Sequence, residues 1–254
     1  MQIIKTPQLD LAKIAASGQC FLWENPAPGT FVIPAFGKIL TAVQLEDGIE
    51  LDCSEEEKNI FWNDYFDIDF NYEVCYNVAV SCDLPYLGNS ARYSSGIRIL
   101  KQELWETALS FIISQNNNIP RIRGCLKRIT ERYGRLPDPG EITPDGLQGL
   151  GLGYRDSYIV NAAEHFKSRD FTDALKAQTY ENAKKQLLAI KGIGNKVADC
   201  ICLYGLGHKS AFPRDVWIRR VEKEHFNGHF PDERFDGYAG VLQQYLFYYG
   251  RSFK

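Results

Sequence analysis

Leu187-Leu-Ala-Ile-Lys-Gly-Ile-Gly-Asn-Lys-Val-Ala-Asp-Cys200 is the stretch from which the fold is read. An apolar helix end runs into Gly192-Ile193-Gly194, and a second helix opens at Asn195 or Lys196. Two glycines allow a tight turn with positive φ and a close approach of the backbone to another surface. The free N–H groups of the turn and of the new helix then point outward as an anion site, which a phosphate fits. A plain helix–helix turn fits the same residues equally well.

Outward from this segment, the helical period of about 3.6 residues recurs. Leu104, Trp105, Ala108, Leu109, Ile112 and Ile113 share one face; Ile122, Cys125, Leu126, Ile129 and Tyr133 share another, ended by Gly134, Pro137 and Pro139. Further helices are predicted over 157–167, 180–190, 196–206, 215–225 and 237–249. The first 90 or so residues read as β-rich. Phe31-Val-Ile-Pro-Ala-Phe36 is a short strand in which Pro34 predicts an edge or a bend. Val43 and Leu45, then Ile49 and Leu51, alternate on either side of Asp47-Gly48, a two-residue hairpin signal. The small, polar stretch Leu87–Gly96 is read as a linker. The predicted fold class is α+β, with an antiparallel β-sheet domain over 1–95 and an all-helical domain over 96–254.

With 254 residues, 44% hydrophobic and 24% charged, the chain can bury a sizeable core, which excludes disordered and low-complexity classes. No stretch reaches the roughly 18 uncharged apolar residues that span a bilayer. Met1-Gln-Ile-Ile-Lys-Thr-Pro7 has no apolar signal region, so no membrane partner is expected and the location is cytoplasmic, or nucleoid-associated in a prokaryote. Seven scattered cysteines suit reduced thiols better than a disulfide framework. The net charge of −3 argues by itself against a nucleic-acid partner, but it is unevenly spread. Residues 46–85 hold twelve Asp/Glu against Lys58, whereas 184–223 hold nine Lys/Arg against Asp199, Asp215 and Glu222, and 121–135 hold six against Glu131. Such a split points to a face that binds polyanions. On charge alone, solvated helix faces are the simpler reading.

Beside the hairpin segment stand Ser17-Gly-Gln-Cys-Phe-Leu-Trp23, Tyr65-Phe-Asp67, Ser114-Gln-Asn-Asn-Asn-Ile119, Leu152-Gly-Tyr-Arg155, Phe212-Pro-Arg-Asp215 and Tyr238-Ala-Gly240 with Gln243 and Phe247. Over nearly its whole length the chain resembles the helix–hairpin–helix DNA glycosylases with a Gly/Pro-Asp loop, most closely the 8-oxoguanine DNA glycosylases. The resemblance implies a TBP-like β domain ahead of a helix–hairpin–helix domain. It also implies a bifunctional base-excision-repair enzyme: 8-oxoguanine opposite cytosine is removed through a lysine Schiff base, and β-elimination then cleaves the strand.

It makes Lys196 the nucleophile and Asp215 its partner. An amine can displace a base at C1′ and collapse to a Schiff base, which water cannot do. A free lysine is mostly protonated at neutral pH, so desolvation or crowding by positive charge is needed, and the basic segment around Lys196 supplies such a setting. Asp215, after Pro213 at a predicted helix start, can cap its helix and face a cationic sugar.

By resemblance, Asn116 fills the space left by the flipped nucleotide, Tyr154 wedges into the stack, Arg121 and Arg155 bond the abandoned cytosine, and Gly192 and Gly194 meet the backbone. Without the family, Asn116-Asn117-Asn118 reads as a polar turn. The flipped base is assigned to Gly18, Gln19, Cys200, Gln243 and Phe247. Gln243 and Phe247, at i and i+4, share a helix face, Phe247 and Cys200 sandwich the base, and the Gly18 carbonyl accepts from N7–H of 8-oxoguanine. Core packing is the other reading of Phe247 and Cys200. One unpaired buried acceptor costs about 1–3 kcal/mol, so guanine must also be rejected before the pocket or during the chemistry.

No cofactor is required, although the carbonyls of Leu188, Ile190 and Ile193 can hold a structural cation, as in relatives. No cysteine follows Cys202, so the four-cysteine iron–sulfur cluster of endonuclease III-like relatives is absent. His225 and His229 stand at i and i+4 without an evident third ligand, so no metal site is expected. Trp217 stands where eukaryotic members usually have histidine, and Leu22 replaces a basic residue. The expected partner is double-stranded DNA containing oxidised guanine, met by a monomer. Two alternatives remain: a monofunctional alkylated-base glycosylase of the same fold, which needs no lysine nucleophile, and a non-catalytic helix–hairpin–helix DNA-binding protein, which needs neither Lys196 nor Asp215.

Overall fold

Alternating apolar and polar residues through 2–51 build a five-stranded antiparallel sheet in the computed structural model, which describes residues 1–253. The strands are β1 (Gln2–Lys5), β2 (Glu24–Ala27), β3 (Thr30–Ala35), β4 (Lys38–Leu45) and β5 (Gly48–Leu51), in the order β1-β5-β4-β3-β2. Leu11 and Ile14 of α1 (Leu11–Ala16) join Phe31, Ile33, Leu40, Ala42, Ile49 and Leu51 in the core. Phe36 and Gly37, with φ of 54° and 67°, turn β3 into β4 with the handedness that suits twisted strands.

Two readings of the sheet are corrected. Leu45 pairs with Gly48, so Glu46 and Asp47 make the second turn and Gly48 stands in the strand. A Cβ on Gly48 would come within 2.0 Å of the Ile4 carbonyl oxygen, so the glycine serves the approach of β1 and not the turn. Pro34 lies on an inner strand, but β2 pairs with β3 only between Thr30 and Val32. Its missing N–H falls beyond that short ladder and costs no bond.

Beyond residue 54 the chain is helical. α2 (Glu55–Glu57) and α3 (Asn63–Tyr65) are joined by the π-turn Lys58–Trp62, and α4 (Tyr72–Ser81) and α5 (Pro85–Ser94) follow. The strands therefore end at Leu51, and most of the expected linker is α5. Its small residues serve close packing. A Cβ on Gly88 would sit 3.4 Å from the Ala79 carbonyl of α4, and Ser94 is buried with its hydroxyl on the Tyr245 carbonyl at 3.1 Å.

The next helices are α6 (Leu104–Ile113), α7 (Ile119–Tyr133), α8 (Pro144–Leu147), α9 (Arg155–Phe166), α10 (Arg169–Lys176), α11 (Tyr180–Leu188) and α12 (Asn195–Cys200). The last continues as a π-turn over Ile201–Gly205. Together they form one compact unit, residues 102–211, with α6 buried on nearly every side. α10 escaped the periodicity reading. α13 (Val216–His225) and α14 (Ala239–Ser252) then group with residues 1–101 in the other unit. A division at 95/96, as read from the sequence, places that last segment in the helical domain instead. Among the described residues no helix is long and apolar enough to cross a membrane, and no disulfide joins any of the seven cysteines.

Glu106, on α6, is 6% exposed; desolvation, with repulsion from Glu103 added, pushes its carboxyl up to about 8. It is neutral in the fold at pH 7, whereas the unfolded chain ionises near ~4.3. The stability this contributes is complete below that range and is lost as pH rises to about 8, with a slope of up to about 1.4 kcal/mol per pH unit. Denaturant titrations across that window should show the wild type losing stability that Glu106→Gln retains.

Candidate active site

The hairpin joins α11 to α12 within the second unit. Gly192 has φ of 98°, and a Cβ there would lie 2.4 Å from Cγ of Tyr158 on α9, so only glycine lets the turn seat on that ring. The Ile193 N–H closes the turn onto the Ile190 carbonyl at 3.0 Å. Gly194 is the N-cap of α12 and no side chain caps it, which leaves an exposed run of backbone N–H groups suited to an anion.

Lys196 lies half-buried in the first turn of α12. Its Nζ donates to Ser114 Oγ at 3.0 Å and sits 4.6 Å from the centre of the Phe111 ring. Ser114 Oγ itself donates to the Phe111 carbonyl at 2.7 Å, which leaves a lone pair for the amine. Neither residue signals this role in the sequence: Ser114 is only one letter of a motif, and Phe111 looks like any core aromatic. Part of the positive charge near Lys196 is already matched, since Lys184 pairs with buried Asp199 at 2.7 Å and Tyr180 donates to the same oxygen at 2.7 Å.

The turn after α6 carries most of the remaining residues. Asn116 has φ of 48°, a left-handed conformation that Asn tolerates, and its Nδ2 donates to Tyr154 Oη at 3.1 Å. Gln115 Nε2 donates to the Gly192 carbonyl at 2.9 Å, and Asn118 caps α7 by accepting the Arg121 N–H at 3.0 Å. Tyr154 is 46% exposed and packs edge-on to Tyr158.

Arg155 departs from the expectation of a free pair of donors. It is 5% exposed; Nε donates to the Gln115 carbonyl at 2.8 Å, Nη1 to Leu152 at 3.1 Å and Nη2 to Asn116 at 3.1 Å. The reason is that carbonyls leaving a helix end need donors. Arg121, by contrast, is exposed in the first turn of α7. Asn116, Tyr154, Arg155, Gly192 and Lys196 thus cluster around one turn, and Cys200, 2% exposed, closes α12.

In the first unit, Gly18 turns the chain after α1 with φ of 75°. Gln19 is fully buried: its Nε2 donates to Ser17 Oγ and the Arg98 carbonyl, both at 2.9 Å, and its Oε1 accepts the Leu100 N–H at 2.8 Å. Its amide braces the loop rather than presenting itself to a base. Gln243, also buried, donates to the Pro213 carbonyl at 3.1 Å and accepts from Gln244 at 3.0 Å. Phe247 follows one turn later, half-buried. Asp215 is the N-cap of α13, its Oδ1 accepting the Ile218 N–H at 2.9 Å.

The two histidines do not converge, because α13 ends at His225. That ring stacks on Tyr86 at 3.7 Å, while His229 stands beside Asp232 and Glu233, and Asp232 is already paired with Arg214.

A glycine hairpin between helices, a lysine opening the second helix and an aspartate capping a later one together define a helix–hairpin–helix glycosylase. Residues 2–108 match the family described as 8-oxoguanine DNA glycosylase, N-terminal domain. The structure of MBOgg1 in complex with a low-affinity DNA ligand superposes with a TM-score of 0.92 at 30% identity, covering 98% of this chain and 95% of that one. The Clostridium acetobutylicum 8-oxoguanine glycosylase/lyase, bound to duplex DNA with cytosine opposite 8-oxoguanine, gives 0.90 at 28% identity over 99% and 98%. The N-glycosylase/DNA lyase of Saccharomyces cerevisiae is 29% identical over 88% of this chain and 70% of its own. The chain belongs to the 8-oxoguanine DNA glycosylase family of glycosylase/lyases.

Loss of Arg155 takes the donor from the buried Leu152 carbonyl, a loss worth about 1–3 kcal/mol, and removes the bonds to the partly buried carbonyls of Gln115 and Asn116. Arg155→Met should therefore lower Tm by several degrees, whereas Arg121→Met should leave it unchanged in the same calorimetric scan.

Proposed function

We propose that the protein excises 8-oxoguanine from duplex DNA through the amine of Lys196 and then cleaves the strand. The observation that carries this is the seat of Lys196: a half-buried amine in the first helical turn after a phosphate-type hairpin, aimed by Ser114 Oγ and the Phe111 ring. A free amine there attacks C1′. The C1′–N9 bond breaks and its electron pair leaves with the base, which takes up a proton. Nitrogen then loses a proton and the sugar ring opens, giving the C1′ Schiff base. The iminium acidifies C2′–H; removal of that proton expels the 3′ phosphate, and water releases the lysine. Asp215, held by its capping bond, contributes a carboxylate against positive charge on the sugar, and Phe247 stacks on the flipped base.

The hairpin carbonyls of Leu188, Ile190 and Ile193 are hard oxygen donors of the kind a cation takes, with that of Ile190 already accepting the Ile193 N–H. A cation there would neutralise phosphate charge. Borohydride should trap a protein–DNA adduct on an 8-oxoguanine duplex, and Lys196→Gln should abolish it while duplex binding persists. An undiminished adduct would overturn the assignment.

The choice of opposite base falls mainly to Arg121, since Arg155 is engaged with the main chain. Two parallel donors match cytosine O2 and N3, whereas adenine sets a donor beside its acceptor. At about 1–3 kcal/mol for such a contact, excision opposite cytosine should exceed that opposite adenine by roughly ten- to a hundredfold. Arg121→Ala should flatten the ratio in single-turnover assays without abolishing excision. Equal wild-type rates opposite both bases would refute the arginine reading.

A further inference from the structure

Arg251 stands one turn beyond Phe247 on α14, and no motif singles it out. Its guanidinium carbon lies 5.2 Å from the centre of the Phe247 ring, and Nη1 donates to the Ala16 carbonyl at 3.2 Å. Ala16 ends α1, directly before Ser17-Gly18-Gln19. The group is half-buried, so desolvation lowers its pKa, while attraction from Asp215 and Tyr248 opposes that shift. One side chain thus touches the ring assigned to the flipped base and the loop whose Gly18 carbonyl is assigned to its N7 edge. A planar guanidinium can lie on a ring while donating in its own plane, so it fixes the angle between ring and carbonyl, whereas a freely rotating ammonium makes both contacts without imposing that angle.

We propose that Arg251 is a positioning residue that clamps Phe247 to the Gly18 loop and so sets the spacing a purine must fill between ring and carbonyl. The proposal rests on the 8-oxoguanine reading above and adds a residue that never touches the reacting atoms. It carries a distinctive consequence, because an abasic sugar has no base to stack. Base excision should depend on the clamp, and strand cleavage at a preformed abasic site should not.

The test is single-turnover kinetics of both steps for wild type, Arg251→Met and Arg251→Lys, with Tm measured alongside. Excision of 8-oxoguanine should slow about tenfold in both variants, since lysine restores charge but not the plane, whereas abasic-site cleavage and Tm should stay at wild-type values. Parallel loss of both steps would make Arg251 a plain structural residue and overturn the clamp. Faster excision would mean that the guanidinium blocks the ring, which overturns it as well. A wild type inert on 8-oxoguanine would sink the substrate reading itself, whereas an active wild type matched by its variants sinks only the clamp.

Discussion

The carbonyl oxygens of Gln115 and Asn116 leave the end of α6 pointing where no helical N–H can reach, and the guanidinium of Arg155 takes both. That pairing permits a five-residue turn to exist inside the second unit. Its neighbours depend on it in sequence. Ser114 holds the Lys196 amine, Gln115 holds the hairpin at Gly192, and Asn116, in its left-handed conformation, meets Tyr154. A buried cation would be costly alone; spread over three carbonyls it becomes the post from which these contacts hang.

The first unit solves the same problem with other atoms. Arg98, 3% exposed, donates to the carbonyls of Gln8 and Asp67 at 2.7 Å each, and Tyr72 bridges the Asp67 carboxylate and the Ile99 N–H. Gln19 completes the set by reaching Ser17, Arg98 and Leu100. Residues 97–100 form no helix or strand; the Ile97 N–H reaches the Ser94 carbonyl, and side chains pair the Ile99 and Leu100 N–H groups and the Arg98 carbonyl. The Gly18 loop inherits its rigidity from that pairing.

Features governed by local chemistry were legible in the sequence. The helical stripes of α6 and α7, the capping aspartate at 215 and the hairpin glycines all express preferences that act within a few residues. Misreadings arose where a distant partner decides. Gly48 looked like a turn residue because its dependence on Ile4 is invisible along the chain, and the small residues of 87–96 looked like a linker because small size serves both solvent and tight packing. Arg155 offers the same donors whether they face a nucleotide or a carbonyl, so residue type alone could not foresee its burial. Ser114 carried no signal beyond its motif, because its service to Lys196 spans 82 positions.

The seat of Gly192 against Tyr158 bears on how this architecture can be reused. The glycine meets its steric demand with a ring from another helix, so the hairpin's shape is a property of three helices rather than of residues 180–205. A peptide cut to that span, or grafted onto a foreign bundle, keeps the glycine and loses the anvil it is bent over. The segment is not a portable cassette: to transplant it, α9 must travel with it.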